Sequence, residues 1–231
     1  MDTSNVLKYL LNLFHNESYG CRFEEIVGQN DIKKIFVKAG QAKRPIHILL
    51  VGPPGSAKTM FLTEIMRHHN AAYFVVGSNT TKAGLLNQLF ERGPKFLLVD
   101  ELEKMSITDQ TSLLHLMETG IISETKINKT RQMKLTSWVF ATANSSEKII
   151  EPLLSRFVIL EVPEYTFEEF REISVARLID ENVDRILAVT IAEKVWTELG
   201  SKDVREVVKV ARLTEGFDDV PFVIRMMKRR K

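Results

Sequence analysis

Apolar residues along the first two thirds of the chain fall into five short runs, at 47–51, 72–76, 96–99, 138–141 and 157–162. Continuous runs of this length predict strands buried on both faces, the pattern of a parallel sheet covered by helices. Between them the apolar spacing turns helical, at 60–68, 85–90 and 108–118, with a further helix near 31–41 before the first run. Alternating strands and helices predict an α/β fold with a doubly wound, five-stranded parallel sheet. In such sheets ligands bind beyond the carboxyl ends of the strands.

The pattern differs on either side of this region. Leu7, Leu10, Leu11 and Phe14 share one helical face, predicting a short N-terminal helix within 1–22. From Pro163 onward strand-like runs cease, and 166–180, 186–200 and 202–214 read as amphipathic helices, the first opened by a Thr166–Glu169 capping box. The expected organisation is therefore an N-terminal helix at 1–22, an α/β domain at 23–164 and a small all-α domain at 165–231. That last domain ends in a basic tail, Arg225-Met226-Met227-Lys228-Arg229-Arg230-Lys231. Two alternating segments around Asn128-Lys129-Thr130 predict a β-hairpin just before the fourth strand.

Composition narrows the class without naming a function. With 231 residues, 44% of them hydrophobic and 27% charged, the chain resembles ordinary globular proteins. A net charge of +2 is too small to imply nucleic-acid binding by itself, so any basic surface has to be local. Cys21 is the single cysteine, which excludes an internal disulfide and a multi-cysteine zinc site. The acidic Asp2 and the interrupted apolar run after it do not form a signal core, and no stretch reaches the roughly 18 apolar residues of a spanning helix. A cytoplasmic protein without a membrane role is expected.

Chemistry concentrates where two of the runs end. Gly52-Pro53-Pro54-Gly55-Ser56-Ala57-Lys58-Thr59 follows the first predicted strand and, with Met60, opens a predicted helix. Backbone N–H groups of such a loop can wrap phosphates at a helix N-terminus. Lys58 would reach the β- and γ-phosphates, and Thr59 would place its hydroxyl on Mg²⁺. Ala57 stands where the strict pattern has glycine, so its backbone requires either a negative φ or room for a Cβ. The run Phe96-Leu97-Leu98-Val99 ends in Asp100-Glu101, where an Asp would hold the metal and a Glu would orient or activate water. Together these motifs predict a nucleoside-triphosphate site with Mg²⁺ on Thr59 and Asp100.

On these motifs the chain resembles the AAA+ ATPase superfamily over residues 23 to about 213. The resemblance implies that Val27 and Gly28, within Phe23-Glu24-Glu25-Ile26-Val27-Gly28-Gln29, flank the adenine. It implies that Asn144, after Trp138-Val139-Phe140-Ala141-Thr142-Ala143, is the sensor-1 residue that helps position the water. Pro152-Leu153-Leu154-Ser155-Arg156-Phe157 looks like the arginine-finger segment, so Arg156 would serve a neighbouring subunit's nucleotide. Gly200-Ser201-Lys202-Asp203-Val204-Arg205 is similar to the lid-helix start bearing the sensor-2 Arg205.

The predicted hairpin sets Lys126, Lys129, Arg131 and Lys134 against a single Glu124, a locally basic element suited to phosphate contact. Its position, with Leu116-Met117-Glu118-Thr119-Gly120 before it, resembles the pre-sensor-hairpin branch of the superfamily and, within it, small archaeal RuvB-like Holliday-junction helicases. A self-associating ring, hexameric by that resemblance, acting on DNA with or without an accessory DNA-binding protein, is the expected function. A MoxR-like protein-remodelling ATPase and an ATP-dependent assembly switch are the alternatives.

Overall fold

The computed structural model describes residues 23–126 and 129–228, and for 125–129 no side chain. The expected N-terminal helix with Cys21, the hairpin tip at Asn128 and the tail residues Arg229, Arg230 and Lys231 lie outside the described residues. So do the side chains of Lys126 and Lys129.

Five parallel strands form the central sheet: β1 (His47–Val51), β2 (Ala72–Val76), β3 (Phe96–Asp100), β6 (Trp138–Ala143) and β7 (Phe157–Glu161), in the order β2-β3-β6-β1-β7. Around and between them run α1 (Asn30–Gln41), α2 (Lys58–His68), α3 (Lys82–Arg92), α4 (Ile107–Thr119) and the short α5 (Glu151–Leu154). The expected sheet is therefore present.

The apolar runs of β1, β3 and β6 are continuous because successive residues enter different layers of core, whereas β7, at the sheet edge, leaves Val158 and Ile159 exposed and departs from the two-sided burial expected of its run. Ile48 and Leu50 join Phe36, Phe61, Phe96, Leu98 and Phe140 on one face, while Leu49 joins Leu97, Val99, Val139 and Leu113 on the other. The rings of Phe23, Phe36 and Phe61 pack with centres 5.1–5.8 Å apart, tying the segment before α1 to α2.

The hairpin is present as β4 (Ile121–Lys126) paired antiparallel with β5 (Lys129–Lys134). Gly120 makes it possible. The residue ends α4 at φ +68, and a Cβ there would stand 2.7 Å from the Leu135 carbonyl oxygen, so only glycine allows the chain to leave the helix this closely.

By contacts the chain divides into two compact units, Met1–Gly52 with Ala57–Val162, and Pro53–Ser56 with Pro163–Lys231. The second contains α6 (Phe167–Asp180), α7 (Arg185–Lys194), α8 (Val204–Arg212) and α9 (Val220–Lys228). The Thr166–Glu169 capping box closes in both directions. One detail departs from the sequence reading. The segment expected as one helix over 186–200 relaxes into a π-helical turn at Val195–Leu199 after α7. The basic tail is, as far as Lys228, the solvated end of a helix, in which Val220, Val223 and Ile224 follow i, i+3, i+4 spacing and are buried. No helix among the described residues is long and apolar enough to cross a membrane.

His47 ties three elements at the start of β1. Its Nδ1 accepts the Val139 N–H at 3.0 Å, and the ring also bonds the Met117 backbone. Desolvation outweighs the Met117 bond and lowers its pKa from 6.5 to about 4. Because the unfolded chain binds this proton first, stability is whole above about pH 6.5 and falls as the pH drops toward 4. The loss approaches roughly 3 kcal/mol. Denaturation midpoints measured across that interval are expected to show this slope, and the slope is expected to be lost in His47→Gln.

Candidate functional site

β1 delivers the glycine-rich loop between its two neighbours. The Gly52 N–H donates to the Ala143 carbonyl at the end of β6 (3.2 Å), and the Val162 N–H donates to Val51 (2.7 Å). A Cβ on Gly52 would lie 2.3 Å from the Val162 carbonyl oxygen, so the close approach of the backbones demands glycine.

Farther along, Ser56 Oγ donates to the Pro53 carbonyl at 2.8 Å, and Gly55 has φ +83. Pro54 completes this turn. Ala57 then takes the left-handed conformation, φ +61, immediately before α2. Of the two possibilities its Cβ allowed, the negative φ is therefore overturned. The loop tolerates the Cβ at a cost of about 1–2 kcal/mol, and the Met60 N–H returns to the Ala57 carbonyl at 2.9 Å.

Lys58 is buried, 7% exposed, and its Nζ donates to the Gly52 carbonyl at 2.8 Å. The ammonium is thus folded back along its own loop. Thr59, one residue on, donates its hydroxyl across to β3, 3.0 and 3.1 Å from the two carboxylate oxygens of Asp100. Asp100 receives a second hydroxyl, that of Thr142 on β6, which in turn accepts the Glu101 N–H at 3.1 Å. An oxygen-only pair of one hydroxyl and one carboxylate suits a hard cation such as Mg²⁺, which keeps several waters and shares phosphate oxygens. The donor set therefore fits the expected metal.

Beyond Asp100 the chain turns sharply. Glu101 adopts φ +56, an uncommon conformation for a non-glycine residue and one that clusters at functional sites. The 3₁₀ turn Leu102–Lys104 follows, fixed by the fully buried Leu102. It brings Lys104 Nζ 2.8 Å from Glu101 Oε1, and that hydrogen bond raises the lysine pKa. It also brings Glu103 Oε1 to Asn144, 2.9 Å from Nδ2 and 3.1 Å from the backbone nitrogen.

Lys58, Thr59, Asp100, Glu101 and Asn144 thus stand at the carboxyl ends of β1, β3 and β6. Val27 and Gly28 precede α1 in a tight turn where Gly28 and Gln29 are both left-handed. Arg156 lies elsewhere in the same unit, ion-paired with Glu118 at the end of α4, its Nε 3.1 Å from Oε1. In the second unit Arg205 makes a bidentate pair with Asp203, which caps α8 and packs against Gly55. Burial pushes Asp203 up, but the bonds from Arg205 outweigh it and hold the carboxyl below its usual range.

On the hairpin, Arg131 is drawn inward. Its guanidinium pairs with Glu124, bonds Asn87 Oδ1 at 3.2 Å and lies 4.6 Å from the centre of the Phe90 ring. Expected as a phosphate contact, it anchors the hairpin to α3. Lys134, by contrast, is exposed.

Sequence reasoning missed Thr142, Glu103, Lys104 and Asp203. Thr142 carried a usable signal, since period-2 alternation places it on the face of β6 that Asn144 continues. Lys104 stands three residues from Glu101, a one-turn spacing. Glu103 was legible only as another acid, and Asp203 only as a helix cap.

Residues 48–165 match the ATPase family associated with various cellular activities (AAA). Among curated proteins, the DNA replication licensing factor mcm2 of Xenopus laevis is 28% identical over 77% of this chain and 25% of its own length. The Schizosaccharomyces pombe mcm2 is 30% identical over 51% of this chain and 18% of its own length. The chain thus spans about a quarter or less of those relatives. Among solved structures, the Thermotoga maritima RuvB Holliday junction branch migration motor shares the fold, with TM-score 0.60 and 21% identity over 85% of this chain and 65% of its own. Its P216G mutant gives 0.65 and 22%, over 89% and 72%. With its matched segment covering half of its residues, the chain belongs to the ATPase family associated with various cellular activities.

Proposed function

We propose that this AAA ATPase is a DNA-associated motor subunit that hydrolyses Mg·ATP at the edge formed by β1, β3 and β6. The observation that carries this is the Thr59–Asp100–Thr142 hydroxyl–carboxylate chain beside Glu101 and Asn144. Similarity to the mcm2 licensing factors and to the RuvB branch migration motor supports DNA as the substrate.

In this reading the backbone of Gly52, Pro53, Pro54, Gly55, Ser56, Ala57 and Met60 cradles the phosphates. Lys58 leaves the Gly52 carbonyl to meet the β- and γ-oxygens. Thr59 and Asp100 would hold Mg²⁺, whose charge would offset that of the phosphates. Glu101 accepts a proton from the attacking water, and Asn144 orients that water. Arg205, released from Asp203, contacts the γ-phosphate. Val27 and Gly28 border the adenine. Residues 23–164 constitute the nucleotide-binding domain and 165–231 the lid.

Arg156 is about half exposed and, among the described residues, its guanidinium pairs with Glu118, a surface ion pair worth about 0–1 kcal/mol. Exchange of Glu118 for a neighbour's γ-phosphate in a six-membered ring is therefore energetically feasible. Such a trans arginine contributes about 10³–10⁵ in rate.

DNA would meet the exposed face of the hairpin, with Lys134 its described cation and Lys126 and Lys129 toward its tip. Arg131 acts indirectly, by holding that face in place.

ATPase assays with single-stranded, duplex and four-way-junction DNA test the whole reading. DNA is expected to accelerate turnover in a salt-sensitive way, and indifference to every DNA structure would refute the motor in favour of a protein-remodelling or assembly role. Glu101→Gln is expected to bind ATP and not turn it over. Lys134→Ala is expected to weaken DNA stimulation with the melting temperature unchanged, whereas Arg131→Ala lowers both. Thr142→Val, which strips a donor from Asp100 and an acceptor from Glu101, is expected to cost about 1–3 kcal/mol in urea unfolding.

A further inference from the structure

We propose that Glu103 is a positioning residue for hydrolysis, acting through Asn144 and not on the nucleotide. The inference rests on the hydrolytic role given to Asn144 above. One carboxylate oxygen of Glu103 accepts from both the Asn144 backbone N–H, at 3.1 Å, and its side-chain Nδ2, at 2.9 Å. The first contact fixes where the residue leaves β6; the second fixes how its amide is turned.

That second contact carries chemical information. An asparagine amide has a donor end and an acceptor end of nearly identical shape, and without a discriminating partner it can point either way. An ionised carboxylate accepts only, so the atom facing Glu103 has to be Nδ2. Oδ1 is thereby turned away from Glu103 and offered as an acceptor. A water about to attack phosphorus presents two protons, and two acceptors, Glu101 and Asn144 Oδ1, would hold it with a lone pair forward.

The local backbone is built to put both carboxylates at one place. Glu101 is left-handed, and the 3₁₀ turn behind it, anchored by buried Leu102, brings Glu103 back toward β6 within two residues. Lys104 bonds Glu101 and also interacts electrostatically with Glu103, so a single cation offsets both acids.

Glu103 Oε2 is buried and has no hydrogen-bond partner among the described residues. A buried carboxylate oxygen without a donor costs stability, so the arrangement is poor as a purely structural cap. It leaves Asn144 as the donor to which Glu103 directs its charge.

The test is steady-state hydrolysis of Mg·ATP, with DNA present, by the wild type, Glu103→Ala, Glu103→Gln, Asn144→Ala and the Glu103→Ala/Asn144→Ala double variant. Binding of a fluorescent ADP analogue and thermal melting accompany it. Glu103→Ala is expected to lower kcat by about tenfold or more, the scale of a lost charged hydrogen bond. KM and analogue affinity should stay within about twofold. Glu103→Gln, whose amide can donate as well as accept, should fall between the two. In the Asn144→Ala background the Glu103 substitution should add nothing, because its target is gone.

Where Glu103→Ala does not fold, Glu103→Gln carries the same comparison in the same two backgrounds. An unchanged kcat in a folded Glu103 variant while Asn144→Ala is impaired overturns this inference alone. So does a loss that multiplies that of Asn144→Ala. A wild type without turnover, or an Asn144→Ala at wild-type rate, overturns the hydrolytic reading and this inference with it.

Discussion

Lys58, Thr59, Asp100, Glu101 and Asn144 stand where they do because three neighbouring strands, β3, β6 and β1, run parallel and in one register. Leu98 lies opposite Phe140, Leu50 opposite Thr142 and Val51 opposite Ala143. Their carboxyl ends therefore lie side by side, and whatever follows each strand shares one edge. A slip of a single residue would send Thr142 into the opposite face and bring an alanine under Asp100. The two aliphatic layers resist that slip, since Leu49, Leu97 and Val139 are fully buried on one face and Ile48, Leu98 and Phe140 on the other. Core packing is thus the cause of the geometry of the candidate site.

Thr142 is the pivot of that edge. Its one hydroxyl gives its proton to Asp100 and accepts the Glu101 N–H, so it fixes a side chain and the next residue's backbone at once. The left-handed conformations of Ala57 and Glu101 are held beside it by the same sheet. Each costs about 1–2 kcal/mol, an expense that isolated loops would relax. Here the flanking strand and helix determine both ends of the turn, so the conformations persist.

The sheet and most of its helices were legible in the sequence because burial on both faces of β1, β3 and β6 leaves an unmistakable apolar run, while β7 carries such a run at an exposed edge. That Thr59 and Asp100 would meet across the strand ends was legible too, from the spacing of each after its strand. The rest was hidden for specific reasons. The start of the last helix was not placed, because the basic residues at its end drew the reading away from the helical spacing of Val220, Val223 and Ile224. The backbone at Ala57 could not be decided from residue type, since alanine permits a left-handed turn only at a cost that tertiary structure has to cover. Glu103 and Asp203 acquire significance only from partners, Asn144 and Arg205, and hydrogen bonds leave no periodicity.

The hairpin shows the same principle with charge. Counting residues made it basic, with four cations against one acid, but the ladder sorts them by face. Glu124 and Arg131 are cross-strand partners on the side that meets α3, where Asn87 and the Phe90 ring complete the guanidinium's surroundings. A guanidinium so committed cannot leave for a phosphate without stranding a mostly buried carboxylate, which is more costly than breaking a surface pair. Arg156, on an exposed pair with Glu118, faces no such barrier. Of two arginines that sequence reasoning placed on polyanions, the surroundings of one make it an anchor and those of the other leave it free to change partners.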